Sequence, residues 1–246
     1  MKKKGEFNEF RFNPGVIAYP LAFVIVMWLV FWFELRFNFN FTSNGILPRT
    51  LSGIQGIVFS PFIHSSLEHL YNNSIPLMAL MTGLFYFYRP VAWKVILMIA
   101  LFSGIGTWAI GREAYHIGAS GMVYGLASFL FFKGIWSKYY RLTAFSLIVV
   151  FLYGSLIWGT VPLDPGMSWE GHLSGFLSGT LLALFIRQNI ARPKKYEWEK
   201  VDYNEEDDPF LKHFDENGNF IEILPEDEIG SDESADEESI ERPKSI

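Results

Sequence analysis

Three short stretches of this sequence set reactive side chains among residues otherwise suited to lipid. "GASG" (Gly118–Gly121) holds Ser120 between small residues. "EGHLSG" (Glu170–Gly175) holds His172 on a segment whose glycines recur at 171, 175 and 179. "HSSLEHLYNN" (His64–Asn73) holds His64, His69 and Asn73. Polar groups within a bilayer are costly and tend to mark function. A serine hydroxyl is a weak nucleophile until an adjacent base takes its proton, and imidazole is the usual base. His69 and Asn73 are four residues apart, so on a helix they share a face and can both donate to one oxygen. A nucleophile, a base and a pair of donors are the parts of acyl transfer through an oxyanion.

Each stretch alone also fits a structural role. Gly121 and Gly125 form a small-x-x-x-small pair of the kind that packs membrane helices. Asn73 and His172 each suit a hydrogen bond between helices. His64 and Glu68 fall at a helix mouth, where polarity is cheap. It is the joint occurrence that argues for chemistry, and it requires elements that bring the stretches together.

Those elements are legible in the hydropathy. Half of the 246 residues are hydrophobic, and they come in blocks. A membrane-crossing helix needs about 20 mostly apolar residues. Six segments meet that length: Val16–Glu34, Leu67–Phe87, Ala92–Ile110, Gly118–Trp136, Leu142–Val161 and Ser168–Arg187. The fold class expected is an all-α polytopic membrane protein, a bundle of six transmembrane helices. Charge is segregated in the same way. From Tyr196 onward lie 19 of the 26 acidic and 4 of the 20 basic residues, so the first 195 residues carry +9 and the tail −15. The acidic pI therefore describes the tail and not a substrate. The domains expected are an N-terminal cytoplasmic segment (1–15), the membrane domain (16–190) and an acidic, disordered cytoplasmic tail (191–246). Within that tail Asn217-Gly218 is a hairpin signal.

The first apolar run is longer than a signal-peptide core and shows no A-x-A-like site, so it is expected to be retained. Lys and Arg flank the starts or ends of the spans on one side, which puts both termini in the cytoplasm of a multi-pass protein of the cell (inner) membrane. The segments carrying His69, Ser120 and His172 all then begin on the outer side, at one shallow depth. The connection 35–66 is long, and its semi-apolar runs suit the membrane interface. With no cysteine there is no disulfide and no thiol nucleophile.

Glycine faces beside Ser120 and His172 allow two helix backbones to approach closely. That is what a short serine needs to reach an imidazole. Ser120 sits two residues after Gly118, at the start of its expected helix, where backbone N–H groups lack partners and the dipole is positive. The expected site is a Ser120–His172 dyad, with His69, Asn73 and the Ser120 N–H as the oxyanion hole. Gly118 keeps that approach clear. Tyr124, four residues after Ser120, stacks on the imidazole. No acid is placed to orient His172: Glu170 lies on another part of the helix, and Asp164 in a loop.

At these residues the chain resembles the rhomboid family of intramembrane serine proteases. The likeness rests on "GASG" with Ser120, on "GH" with His172 opening a G-x-x-x-G helix, and on H-x-x-x-x-H-x-x-x-N (His64, His69, Asn73). It implies Ser120 as nucleophile, His172 as base, His69 and Asn73 in the oxyanion hole, Gly118 in the active-site loop, and His64 as a supporting histidine. It implies an endopeptidase that cleaves transmembrane protein substrates in or near their membrane segments, with no cofactor. The expected partners are those substrates and the lipid bilayer, with neither nucleic acid nor metal. The Trp-Arg pair common in the family's first external loop is not evident here.

Three other readings are weighed against this one. A catalytically silent rhomboid-like binder of membrane proteins would typically lack the serine or the histidine. A transporter would show internal repeats and midplane sites. A metalloprotease would need an H-E-x-x-H pair, and the five-residue spacing of His64 and His69 does not provide it. Helix five, with Phe151 and Trp158, is the expected gate for substrate entry.

Overall fold

A computed structural model of the chain describes residues 12–163, 166–187, 196, 198, 201, 203–205 and 208–222. Among these there is no β-strand, and seven α-helices are present. Six are long: α1 (Gly15–Phe37), α3 (Leu67–Phe87), α4 (Ala92–Ile110), α5 (Ser120–Trp136), α6 (Tyr140–Tyr153) and α7 (Trp169–Phe185). They match the six expected segments in order. The seventh, α2 (Gly56–Phe59), is one turn within the long connection. Three stretches, 15–37, 89–110 and 140–160, are long and apolar enough to cross a membrane by length and composition alone. The other three helices, α3, α5 and α7, are those bearing the polar stretches. The chain is an all-α integral membrane protein.

Local chemistry sets the helix ends. Ser66 is extended and its hydroxyl accepts the His69 N–H, which starts α3. Ser168 does the same for the Gly171 N–H at the start of α7. Asn38 closes α1 in the left-handed conformation that favours Asn and Gly. By contrast, α5 starts after Ala119 with no side-chain cap. The Met122 and Val123 N–H groups donate to the Ala119 carbonyl, and those of Ser120 and Gly121 have no acceptor within the helix.

Helix α5 is central and packs against α3, α4, α6 and α7, while α1 packs on α3. Lipid is as apolar as leucine, so small residues and close fit must hold such a bundle. Leu126, Phe129 and Leu130 of α5 meet Leu77 and Leu84 of α3 and Ile99 of α4 in one buried cluster. The closest approach is between α5 and α7. A Cβ on Gly175 would stand 2.0 Å from the Gly121 carbonyl oxygen, and one on Gly179 would stand 1.9 Å from that of Gly125.

The connection between α1 and α3 folds back onto the α4–α5 loop. Ile46 and His116 exchange backbone hydrogen bonds of 2.9 Å. The Arg49 guanidinium donates to the Gly111 carbonyl, and the Trp108 indole donates to that of Thr50. Leu51, Ile54, Val58 and Phe59 of the connection turn outward.

Helix α6 ends earlier than expected. It stops at Tyr153, and a 3-10 segment continues from Gly154 to Thr160. Phe151 and Trp158 are 88% and 67% exposed, so neither plugs a gap between helices. Phe145 does the inward packing, against Gly83 and Phe87 of α3.

The chain divides into two compact units, Met1–Arg192 and Pro193–Ile246. In the second, Phe214 and Phe220 form an isolated antiparallel bridge around a turn with Gly218 at φ +79°. Asn217-Gly218 thus lies in a turn between paired residues. The Asp215 carboxylate accepts the N–H groups of Asn217 and Asn219. Most of the acidic runs expected to be disordered, the first eleven residues, and Asp164 lie outside the described residues.

Candidate active site

The polar stretches of α3, α5 and α7 meet in one cavity of about 670 Å³. Ser120, His172, His69 and Asn73 all line it, and so does Tyr124. Ser120 is the first residue of α5, and its own N–H has no intrahelical acceptor. Gly118 precedes it at φ +101°, a conformation open to glycine and strained for other residues. A Cβ there would lie 2.6 Å from His69 Nε2 and 3.7 Å from Asn73 Nδ2. The ring and the amide thus crowd the backbone just before the serine.

His69 is oriented from its other nitrogen. Its Nδ1 lies 3.2 Å from the Ser65 hydroxyl. One N–H of the Asn73 amide donates to the His69 carbonyl at 2.9 Å. The other N–H is not used by that bond. His64 is buried beside His69, its ring edge-on at 5.0 Å between centroids. It does not line the cavity. Burial, and then the neighbouring His69, lower its pKa to about 4, so it is neutral at pH 7.

His172 is held on two sides. Tyr124 lies flat against it, with ring centroids 4.2 Å apart and planes within 8°. Nδ1 is 2.9 Å from the Gly159 carbonyl. A carbonyl only accepts, so Nδ1 carries the proton and Nε2 of the neutral ring is the basic nitrogen. A Cβ on Gly159 would collide with the Tyr124 hydroxyl at 2.0 Å and crowd His172 Nδ1 at 3.1 Å. Among the described residues no hydrogen bond joins Ser120 to His172. Such contacts are often long without substrate.

Glu170 does not reach His172. Its carboxyl is buried, accepts the Arg112 N–H at 3.2 Å, and lies 3.9 Å from the Arg112 guanidinium. The residues that sequence reasoning missed are Gly159, which orients the imidazole, and His116, discussed below. Gly159 had only a weak signal, a lone glycine closing a run of bulky residues. Among the described residues, no group of three or more His, Cys, Asp or Glu side chains could hold a metal.

Fold and site define a polytopic helical membrane protein with a polar cavity among its helices. Residues 52–189 match the family model of the Rhomboid domain. The chain belongs to the rhomboid family. Over 180 residues it is 33% identical to an uncharacterized protein of Mycobacterium tuberculosis, a match covering 68% of this chain and 73% of that one. An uncharacterized protein of Mycobacterium bovis matches to the same extent. One of Mycobacterium leprae is 31% identical, over 68% of this chain and 69% of its own.

Proposed function

We propose that this protein is an intramembrane serine endopeptidase that cleaves transmembrane protein substrates in or near their membrane segments. The observation that carries the reading is His172, its Nδ1–H held by the Gly159 carbonyl and its ring by Tyr124, in the same cavity as Ser120. As Ser120 Oγ attacks the scissile carbonyl, His172 Nε2 takes the hydroxyl proton. The carbonyl oxygen becomes an oxyanion, for which the donors are the Ser120 N–H, His69 and Asn73. Collapse breaks the C–N bond, and His172 protonates the leaving amine. Water then attacks the acyl-enzyme, again giving its proton to His172. The acid leaves and Ser120 is restored. The chemistry uses no cofactor and no metal.

With six alternating spans, both termini lie in the cytoplasm of the cell membrane, and the cavity opens near the outer surface. The division of the chain into a membrane domain and an acidic cytoplasmic tail belongs to the same reading. A transmembrane substrate must leave lipid sideways. The outward rings of Phe151 and Trp158 make those two residues poor gate candidates.

The test is labelling of the detergent-solubilised, folded protein with a fluorophosphonate probe. Wild type is expected to label, and Ser120→Ala and His172→Ala are expected not to. Labelling that survives Ser120→Ala would assign the wrong serine. A folded wild type that neither labels nor cleaves transmembrane segments would make the protein a silent binder of membrane proteins.

A further inference from the structure

His116 stands four residues before Ser120, in the loop between α4 and α5, and its side chain is buried. The ring bridges two segments. Nε2 is 3.1 Å from the Arg112 carbonyl, and Nδ1 is hydrogen-bonded to the Ser168 hydroxyl. The carbonyl can only accept, so Nε2 carries the proton. Nδ1 is then the acceptor, and the Ser168 hydroxyl donates to it. The Ser168 oxygen in turn accepts the Gly171 N–H at 3.3 Å, which is the cap of α7. The Ser168 carbonyl accepts the N–H of His172 itself at 3.1 Å. A directed chain of bonds thus runs from the Arg112 carbonyl through His116 and Ser168 into the turn that carries His172.

Neighbouring contacts hold the same turn from the same loop. The Arg112 guanidinium donates to the Met167 carbonyl at 2.7 Å, and its N–H goes to Glu170. Burial lowers the pKa of His116, which agrees with the neutral tautomer that the bonds require. At the other end of the loop, the Gly118 N–H donates to the Ser60 carbonyl and fixes the approach to Ser120.

We propose that His116 is a positioning residue: through Ser168 it sets the first turn of α7, and with it the place of the His172 imidazole relative to Ser120. This rests on the reading of those two residues as base and nucleophile. The backbone bonds between His116 and Ile46 do not involve the ring, so side-chain substitutions isolate what the ring does.

Two amides separate the two bonds. In His116→Asn the amide oxygen stands near Nδ1 and still accepts from Ser168. In His116→Gln the amide nitrogen stands near Nε2 and still donates to Arg112, but the bond to Ser168 is lost. The full-length protein is studied in detergent by hydrogen exchange at Gly171 and His172 and by fluorophosphonate labelling resolved into a maximal rate and a half-saturating concentration. His116→Gln and Ser168→Ala are expected to speed exchange in that turn. They are also expected to lower the maximal labelling rate by roughly 10- to 100-fold, with little change in half-saturation, since small misplacements of a reacting group act on the rate. His116→Asn restores most of both. The double variant His116→Gln/Ser168→Ala is no worse than either single one, because both cut the same chain. Additive losses, equal behaviour of Asn and Gln, or Gln at wild-type exchange would overturn the proposal. If wild type does not label at all, the proposed activity fails, and exchange in wild type and the four variants still decides whether His116 holds this turn.

Discussion

The separation of α5 and α7 decides whether Ser120 and His172 can meet, and Gly175→Ala perturbs that separation alone. Gly175 lies one turn below His172 and lines no part of the active-site cavity. The added Cβ would stand 2.0 Å from the Gly121 carbonyl oxygen and 3.0 Å from the Gly121 Cα. These are backbone atoms of a helix and cannot swing aside. Relief to an ordinary contact requires the helices to part by about 1.5 Å. Overpacking of this kind costs about 1–3 kcal/mol of stability. A shift of about 1 Å between reacting groups costs roughly 100-fold in rate. Gly154→Ala is the control, since its Cβ would meet only a Val150 methyl at 3.5 Å. The assay is fluorophosphonate labelling of folded protein, with thermal unfolding in parallel. Gly175→Ala is expected to unfold at lower temperature and to label about two orders of magnitude more slowly, while Gly154→Ala behaves as wild type. A Gly175→Ala protein that labels at the wild-type rate would refute the claim that this contact sets the dyad.

Gly118→Ala forces a Cβ onto φ +101° and against His69 Nε2. It is expected to cost about 1–3 kcal/mol in backbone strain and, by displacing an oxyanion donor, roughly 100-fold or more in labelling rate; unchanged labelling would remove His69 from the site. Lys133 of α5 donates to the Ala183 and Ile186 carbonyls at the end of α7. Lys133→Met is expected to cost about 1–3 kcal/mol in thermal unfolding through the acceptors left unpaired, with labelling intact; a large loss of labelling would mean that this end also positions the site. His64, held at a pKa of about 4 against 6.5 for a free histidine, stays neutral where the unfolded chain is already protonated. Its contribution is complete above pH 6.5 and is lost as pH falls toward 4, by up to about 3 kcal/mol. His64→Gln should flatten the pH dependence of unfolding in that window, and an unchanged slope would exclude His64 as its source.

Much of this molecule is legible in its chain because the bilayer allows so few solutions. Six apolar lengths call for six helices, and five of the six long helices begin and end within a few residues of them. The largest miss is at α6, expected to run to Val161. Its hydropathy continues through Gly154, but its α-helical hydrogen bonding does not, and composition does not distinguish an α-helix from a 3-10 segment. That break has consequences. The 3-10 segment presents the Gly159 carbonyl to His172 and carries Trp158 with its ring toward the outside.

Ser120, His172, His69 and Asn73 are singled out by residue type and spacing, and the fold brings all four to one cavity. The periodic glycines beside them implied a close approach of α5 and α7, since a helix face without side chains has little other use within lipid. Residue type and spacing could not say what orients the imidazole. No acid was available, and the answer is a backbone carbonyl, a group every residue carries and no sequence pattern marks. The same holds for His116. It stood in view beside the serine, but its partners are the carbonyl of Arg112 and a hydroxyl 52 positions away. Local sequence determined which helices form and which reactive groups they carry, because burial in lipid and helix periodicity act over neighbouring residues. Tertiary structure alone decided which lone pair each histidine offers and how the first turn of α7 is held, because those depend on single acceptors brought from distant segments to within about 3 Å.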